Sequence, residues 1–569
     1  MFPISKKAVL LRSYVEVFSR GDFSSPYKTK KRAIMSSQQD KDEDTAKRGT
    51  AAISLENSET QNTTKDIVLE GVREHNEKII RPPSFSWTSI SRYLKTRVTT
   101  LVVPKEEWKL HSLSDVFNPF GALSELSLKQ WNFFFVGFWA WTLDSFDFFS
   151  VSLNADSIAK DLDTKVKNVT WGVTVVLMLR SVGSIAFGIW CDRSGRRWPY
   201  IVNLFLIIVI QIGTGFINTY KQFLAVRALF GLVMGGVYGT CYAIASEDCP
   251  PRARGIVSGM FQQAYAFGYL LAVVFTRALV DTTPKGWRSI FWFSAGPAAV
   301  FIVWRFFTPE TATFLHQKKV LERDSGPKEK KNKIFIEQAK DSLKRYWLMI
   351  IYCVLMMSGF NFLSHGSQDL YPTLLTKQYG FSSDRSTVTN SVANLGAIFG
   401  GIIGGHLSTF LGRRLTIILA CIAGGALIYP WAFIRGSGIN AGAFFFQASV
   451  QAAWGVVPIH LAELSPAQFK ALVTGTSYQL GNLCSSASST IEATIGESFP
   501  LHGSGNSGTY NYAKTMSIFM GSVFAYIIIV IFFGPENKGA DMSIDRDMNV
   551  DASNKPLEKR STISSEEKV

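Results

Sequence analysis

The chain has 569 residues, of which 47% are hydrophobic and 13% aromatic, yet only 18% are charged, and that charge collects in a few places. This is the profile of a polytopic membrane protein with hydrophilic tails. A formal charge of +15 would suggest a nucleic-acid partner only if the basic residues made a folded patch; lying in tails and short loops between apolar runs, they read as membrane topology instead.

Residues 1–34 hold eight Lys or Arg against two acidic residues, with serines among them. Two readings stand for this stretch: an organelle transit peptide, or residues upstream of the ordinary hydrophilic tail that opens at Met35. From there to Lys129 the chain is mostly polar, so residues 1–129 are expected to form a disordered cytosolic tail. Apolar runs long enough to cross about 30 Å of hydrocarbon then fall near 131–152, 170–190, 199–218, 223–245, 256–278 and 289–307. Six more lie near 347–371, 386–408, 414–434, 440–461, 471–493 and 514–533. The expected fold is therefore an all-α membrane protein of twelve spans. It divides into a six-helix bundle at 130–307, a cytosolic linker at 308–346, a second six-helix bundle at 347–534 and a cytosolic tail at 535–569. Residues 305–346 carry eleven Lys or Arg, which by the positive-inside rule places the linker and both termini in the cytosol.

Of the six cysteines, Cys241, Cys353, Cys421 and Cys484 lie in apolar runs, and Cys191 and Cys249 fall in loops expected in the cytosol. No disulfide framework or metal-type spacing emerges. Asn168-Val169-Thr170 is a glycosylation sequon, but it abuts the second span and is expected to be unused.

An internal repeat carries the architecture. Gly188-Ile189-Trp190-Cys191-Asp192-Arg193-Ser194-Gly195-Arg196-Arg197 follows the second span, and Gly405-His406-Leu407-Ser408-Thr409-Phe410-Leu411-Gly412-Arg413-Arg414 follows the eighth. The offset is constant, since 405 − 188 and 413 − 196 both equal 217. After the fourth and tenth spans, Glu247, Pro250 and Arg254 correspond to Glu463, Pro466 and Lys470, each shifted by 216. Two halves of one design are joined by a linker. The first copy resembles the G-x-x-x-D-x-x-G-R-[KR] loop of the major facilitator superfamily, and Arg227-x-x-x-Gly231-x-x-x-Gly235 resembles that superfamily's fourth-span motif. Asp192, Arg196, Arg197, Arg227, Glu247, Arg254, Arg413, Arg414 and Glu463 are then expected to latch helix ends on the cytosolic face, as gate and scaffold. In the second copy Thr409 stands where the carboxylate would be, so a weaker latch is expected there.

The transport chemistry concentrates in the seventh span. Asn361, His365 and Asp369 recur at i, i+4 and i+8, with Ser364 and Gln368 one position behind, so a helix puts all five on one face. Ionisable groups at membrane depth cost roughly 2.5–3.5 kcal/mol each and usually face a water-filled cavity or a partner. The stripe reads as the wall of a substrate path; the alternative, the start of a loop, is raised by Pro372 and the hydrophilic run after Thr376. Asn361, Ser364, His365, Ser367, Gln368, Asp369 and Thr373 resemble the N-x-x-[ST]-H-x-[ST]-Q-D-x-x-x-T signature of the fungal Jen carboxylate permeases.

Arg180, near the middle of the second span, needs an anion, and its planar fork can hold a carboxylate bidentately. Substrate, or Asp144, Asp147 or Asp369, can fill that role. Asp144 and Asp147 share a face at i, i+3, which suits a proton carrier or a structural pairing to Arg180. His365 and Asp369 are close enough to titrate as a pair. Gln262, Gln263, Gln479 and Asn482 are uncharged groups able to bond carboxylate or hydroxyl oxygens or neighbouring helices. The segment Ser477-Tyr478-Gln479-Leu480-Gly481-Asn482-Leu483 again resembles the Jen family. Monocarboxylate members tend to be less polar where Gln262 and Gln263 stand, which leans toward dicarboxylates.

There is no P-loop, G-x-S-x-G or H-E-x-x-H, so no enzyme and no cofactor are expected. The resemblance implies a plasma-membrane symporter importing lactate, pyruvate, succinate or malate with protons. Arg180, Asn361, Ser364, His365, Gln368, Asp369, Gln479, Gln262 and Gln263 would contact substrate, and His365, Asp369 and Asp144 would carry the proton. The alternatives are a transporter for another organic anion or a sugar, and a non-transporting nutrient receptor. Lys538, Lys555, Lys559 and Lys568 in the tail suit ubiquitin-dependent endocytosis or simple solvation.

Overall fold

The computed structural model describes residues 85–104, 113–280, 282–324, 328–436, 438–500 and 511–540. Three helices precede the first span: α1 Trp87–Thr99, α2 Leu113–Phe117 and α3 Pro119–Leu123. The first half comprises α4 Leu128–Leu153, α5 Ala155–Asp161, α6 Val166–Ser194, α7 Arg197–Thr214, α8 Tyr220–Met234, α9 Val237–Ser246, α10 Arg254–Phe275 and α11 Arg288–Phe307. Helix α12 Ala312–Asp324 bridges to α13 Lys328–Gln368, a 41-residue helix that carries the second half of the linker and the seventh span without a break. The second half continues with α14 Tyr371–Thr373, α15 Ser383–Leu411, α16 Arg413–Ala426, α17 Ile428–Ala432, α18 Gly438–Leu464, α19 Lys470–Ser485, α20 Ser488–Glu497 and α21 Tyr512–Phe533.

The local signals explain the boundaries. Ser127 and Gln130 form a capping box that starts α4, with Gln130 Oε1 accepting from Ser127 N at 2.8 Å, and Thr219 with Gln222 does the same for α8. Between spans two and three the chain turns at Gly195 with φ of 95°, and between eight and nine at Gly412 with φ of 93°. Both glycines sit 217 residues apart in a backbone region that side chains disfavour, so the repeat has a conformational cause.

Nine helices among the described residues are long and apolar enough to cross a membrane. The other three of the twelve stretches are helical but different in kind. Helix α4 carries Asp144 and Asp147, the run at 414–434 divides into α16 and α17 at Leu427, and the run at 471–493 divides into α19 and α20 at Ser486 and Ala487. Cys191 lies within the last turns of α6 rather than in a loop, and all six cysteines are free.

The tail expected to be disordered is ordered in its later part. Tyr93 Oη donates to Phe533 O at 2.9 Å, Arg97 donates to Gly534 O, and Arg414 donates to Arg97 O at 3.2 Å and Thr100 Oγ1 at 3.1 Å. Docking onto the end of α21 supplies partners that no short isolated helix has. Residues 1–84 and the tail lysines Lys555, Lys559 and Lys568 lie outside the described residues.

The two halves meet along glycine seams. A Cβ on Gly239 of α9 would lie 2.5 Å from Ala471 O of α19, and one on Gly405 of α15 would lie 2.5 Å from Gly255 O of α10. Ser258 of α10 inserts its hydroxyl into the ladder of α18 beside Pro458, donating to Gly455 O at 2.9 Å and accepting from Ile459 N at 3.0 Å. Small residues and one shared hydroxyl thus let backbones from opposite halves touch.

Candidate functional site

Two groups of buried polar residues stand out, one at the end of the bundle that carries α12 and one deeper in. At the linker end, Glu247 Oε1 accepts from Arg196 Nε at 3.0 Å and from Nη2 at 2.6 Å, while Asp192 Oδ1 lies 3.4 Å from Arg196 Nη2. Burial disfavours the Arg196 cation, but the charge of Glu247 outweighs it and holds the guanidinium above its ordinary pKa. Asp192 crosses the seam: its oxygens accept from Ala471 N at 3.2 Å and Leu472 N at 2.8 Å, the free amides of the first turn of α19. The second half repeats the arrangement within itself, with Arg413 forking onto Glu463 through two 3.0 Å bonds. Thr409, at the position of Asp192, has no hydrogen-bond partner among the described residues. The expected asymmetry of the two latches is present.

Sequence reasoning missed two members of this network. Glu310 Oε2 accepts from Arg196 N at 2.9 Å and Arg197 N at 3.0 Å, capping α7; Glu536 accepts from Arg413 N at 3.3 Å and Arg414 N at 2.9 Å, capping α16. The readable signal was a Pro-Glu pair just past the last span of each half, Pro309-Glu310 and Pro535-Glu536. Arg254 is held by backbone, Nε donating to Cys249 O at 3.1 Å. Arg227 does not belong to the latch. Its Nη2 donates to Thr214 Oγ1 at 2.7 Å and meets Gln211 Oε1 at 3.4 Å, inside the first half and beside Asp147. Asp144 and Asp147 thus have different surroundings although they lie on one helix.

In the deeper group, Arg180 Nη2 lies 3.5 Å from Asp144 Oδ2, both fully buried. The pair is loose: neither Asp144 oxygen, nor Arg180 Nε or Nη2, has a hydrogen-bond partner among the described residues. Arg180 also acts electrostatically on Tyr265 of α10, Tyr478 of α19 and His365 of α13. These tyrosines belong to an aromatic cage that sequence reading passed over. Trp141 has ring centroids of Tyr238, Tyr265 and Tyr478 at 5.1, 5.6 and 5.7 Å, and Tyr238 stacks on Tyr478 at 4.1 Å. The cage brings rigid, low-dielectric walls to an under-coordinated guanidinium, which strengthens its pull on an anion.

The stripe stays on one helix as far as Gln368, and Asp369 is the first residue beyond α13. His365 Nδ1 lies 3.0 Å from Asp369 Oδ2, with side-chain exposures of 18% and 42%, so this pair meets open space. Asp369 also acts on Tyr269, which with Leu153, Thr373, Asn390 and Asn394 lines a cavity of about 360 Å³ between the two halves. Ser364 and Gln368 are half-buried on the same stretch. Asn361 is different. Its Nδ2 donates to Met357 O of its own helix at 2.8 Å, and it packs where Gly481 lets α19 approach. Gln479 is buried, its Oε1 accepting from Asn482 Nδ2 at 3.1 Å. Gln262 and Gln263 both keep Oε1 without a partner among the described residues, while Gln263 Nε2 donates to Gly259 O at 3.2 Å and lies against Gly401 across the seam.

A bundle of apolar helices in two related halves, sealed at one end and holding buried charges between them, is the construction of a membrane transporter. The chain matches the sugar (and other) transporter family over residues 118–547. It belongs to that family, and thus to the major facilitator superfamily, as a multi-pass membrane protein. It is 40% identical over 86% of its length to a carboxylic acid transporter protein homolog of Saccharomyces cerevisiae, 82% of which is covered. It is 25% identical over 66% of its length to the cis,cis-muconate transport protein of Acinetobacter baylyi, 89% of which is covered. Among solved structures, the proton:xylose symporter XylE bound to 6-bromo-6-deoxy-D-glucose superposes with a TM-score of 0.58 at 17% identity. The match covers 74% of this chain and 98% of that one, a likeness of fold.

Proposed function

We propose that the chain is a twelve-span plasma-membrane symporter, with its linker and termini in the cytosol, that imports short-chain carboxylates together with protons by alternating access. The observation that carries this reading is Arg180, a fully buried guanidinium whose only ion-pair partner among the described residues is a loosely placed carboxylate, Asp144. Such a cation exchanges one anion for another at little cost, because neither state leaves it bare. The relatives named for a carboxylic acid and for cis,cis-muconate point the same way.

Proton coupling follows from energetics. Moving an organic anion into a cell that is negative inside costs about 2.3 kcal/mol per charge per 100 mV, and a proton carried with it cancels that charge. His365 with Asp369 supplies a partly exposed proton-binding pair, and Asp144 a carboxylate beside Arg180. In this orientation the sealed linker end and the cavity at the far side correspond to an outward-facing stage. The lean toward dicarboxylates rests on Gln262 and Gln263, whose amide oxygens both lack a hydrogen-bond partner among the described residues.

The test is uptake of labelled lactate and labelled succinate at mildly acidic pH by a yeast lacking its own carboxylate uptake, with and without a protonophore. Protonophore-sensitive uptake of either acid is expected, and His365→Ala at equal surface expression should lose it or displace its pH optimum. Absence of uptake of both acids by surface-resident protein refutes the reading.

A further inference from the structure

The eleventh apolar stretch folds as α19 followed by α20, and the two share one buried polar face. Gln479, Asn482, Ser485, Ser488 and Glu492 recur every three or four residues, and all five are buried. Ser486 and Ala487 keep right-handed helical angles across the break, so the file stays in line. Its inner members bond to one another, Asn482 donating to Gln479 and Ser485 Oγ to Asn482 O at 3.0 Å, while Gln479 Nε2 has no partner among the described residues.

Glu492 is not satisfied. It has no solvent exposure, and neither carboxyl oxygen has a hydrogen-bond partner among the described residues. Helix α20 packs on α13 and α21, and Asp369 stands just past the end of α13. His365, one turn back on α13, is turned to Asp369. From α21 the titratable side chains at this end are Tyr512, which is buried, and Lys514, whose ammonium lies 3.9 Å from the ring centroid of Phe499. A carboxylate out of water with no donor costs several kcal/mol when charged, and binding a proton removes that cost.

We infer that Glu492 is a further proton-binding site, so that the coupling site spans α13, which carries His365, and α20. This deepens the symport reading and rests on it. The two places differ in access: the His365–Asp369 contact meets open space, whereas Glu492 holds a proton out of water. In the cycle an O–H bond forms on Glu492 as a proton is taken up and breaks as that proton is released, the carboxyl gaining and losing one positive charge, and no other reactant takes part.

The full chain, purified into liposomes, allows two measurements: accumulation of labelled lactate or succinate driven by an imposed proton gradient, and gradient-free exchange of labelled for unlabelled acid. Wild-type protein that neither accumulates nor exchanges either acid overturns the symport reading and this inference with it. Given wild-type accumulation, Glu492→Gln, a permanently neutral mimic, should lose accumulation by at least about tenfold while exchange stays within about twofold. Glu492→Asp should restore part of the accumulation. Wild-type accumulation by Glu492→Gln, or an equal loss of accumulation and exchange, overturns the assignment in favour of a packing role. Where Glu492→Gln does not fold, Glu492→Asp carries the test: a displaced pH profile of accumulation with unchanged exchange supports the assignment, and an unmoved profile overturns it.

Discussion

Asp192→Asn should open the linker end. Asp192 is a carboxylate of the first half bonded to two amides of the second, at 3.2 and 2.8 Å, and α19 has no side-chain cap of its own. Asparagine keeps the shape and one acceptor oxygen, but it removes the charge and turns an N–H toward an N–H. Hydrogen bonds to a charged group are each worth about 1.5–3 kcal/mol, so about that much stabilisation of the closed linker end disappears. Because the bonds exist only when the halves meet there, the ratio of closed to open molecules should fall roughly ten- to a hundredfold. Nitroxide labels on the two halves at the linker end, read by double electron–electron resonance, should show a new longer-distance population. Thr409→Ala is the internal control, since Thr409 occupies the matching position without a hydrogen bond, and it should leave the distribution unmoved. An Asp192→Asn distribution identical to the unsubstituted one would refute the argument that these two amides hold the halves together.

Three further outcomes follow from single contacts. Glu310→Ala removes the acceptor for Arg196 N and Arg197 N and the ion-pair partner of Arg305, so it should cost about 1–2 kcal/mol in the manner of a lost helix cap; thermal unfolding of the detergent-solubilised protein followed by intrinsic fluorescence should show a lower midpoint, with Glu536→Ala similar. Gly481→Ala places a Cβ 2.6 Å from Met357 C and 2.8 Å from Asn361 Nδ2, and overpacking of this kind costs about 1–3 kcal/mol; carboxylate uptake should fall together with stability. Arg180→Lys keeps the charge but loses the fork beside Asp144, so uptake at equal surface expression should fall by about tenfold or more; unchanged uptake would remove Arg180 from the substrate path.

The architecture was legible where geometry constrains residue type. Gly195 and Gly412 recur at one offset because each turn needs a positive φ, and the polar stripe on α13 is conspicuous because its neighbours are apolar. The helix break at Leu427 is flanked by Gly424-Gly425 and Pro430, signals outweighed by the apolar run around them, and the break at Ser486 has no Pro or Gly beside it. The role of α1 was hidden because its partners are backbone carbonyls at Phe533 and Gly534, more than 430 residues away. Glu310 and Glu536 bind backbone amides, which a sequence does not display, and their offset, 536 − 310 = 226, differs from that of the latches. Asp144 and Asp147 looked equivalent at i, i+3, yet the rotation between them turns one toward Arg180 and the other toward Gln211 and Arg227.

The two Pro-Glu caps give each half the character of a closed loop. Glu310, just past the last span of the first half, is bonded to the turn between that half's second and third spans, and Glu536 repeats the closure in the second half. Chain ends that would otherwise fray are thus fastened back onto their own bundle. These fastenings stiffen each half at its linker end, and leave the seam at Gly239, Gly255, Gly405 and the Ser258 hydroxyl as the surface along which one half can shift against the other.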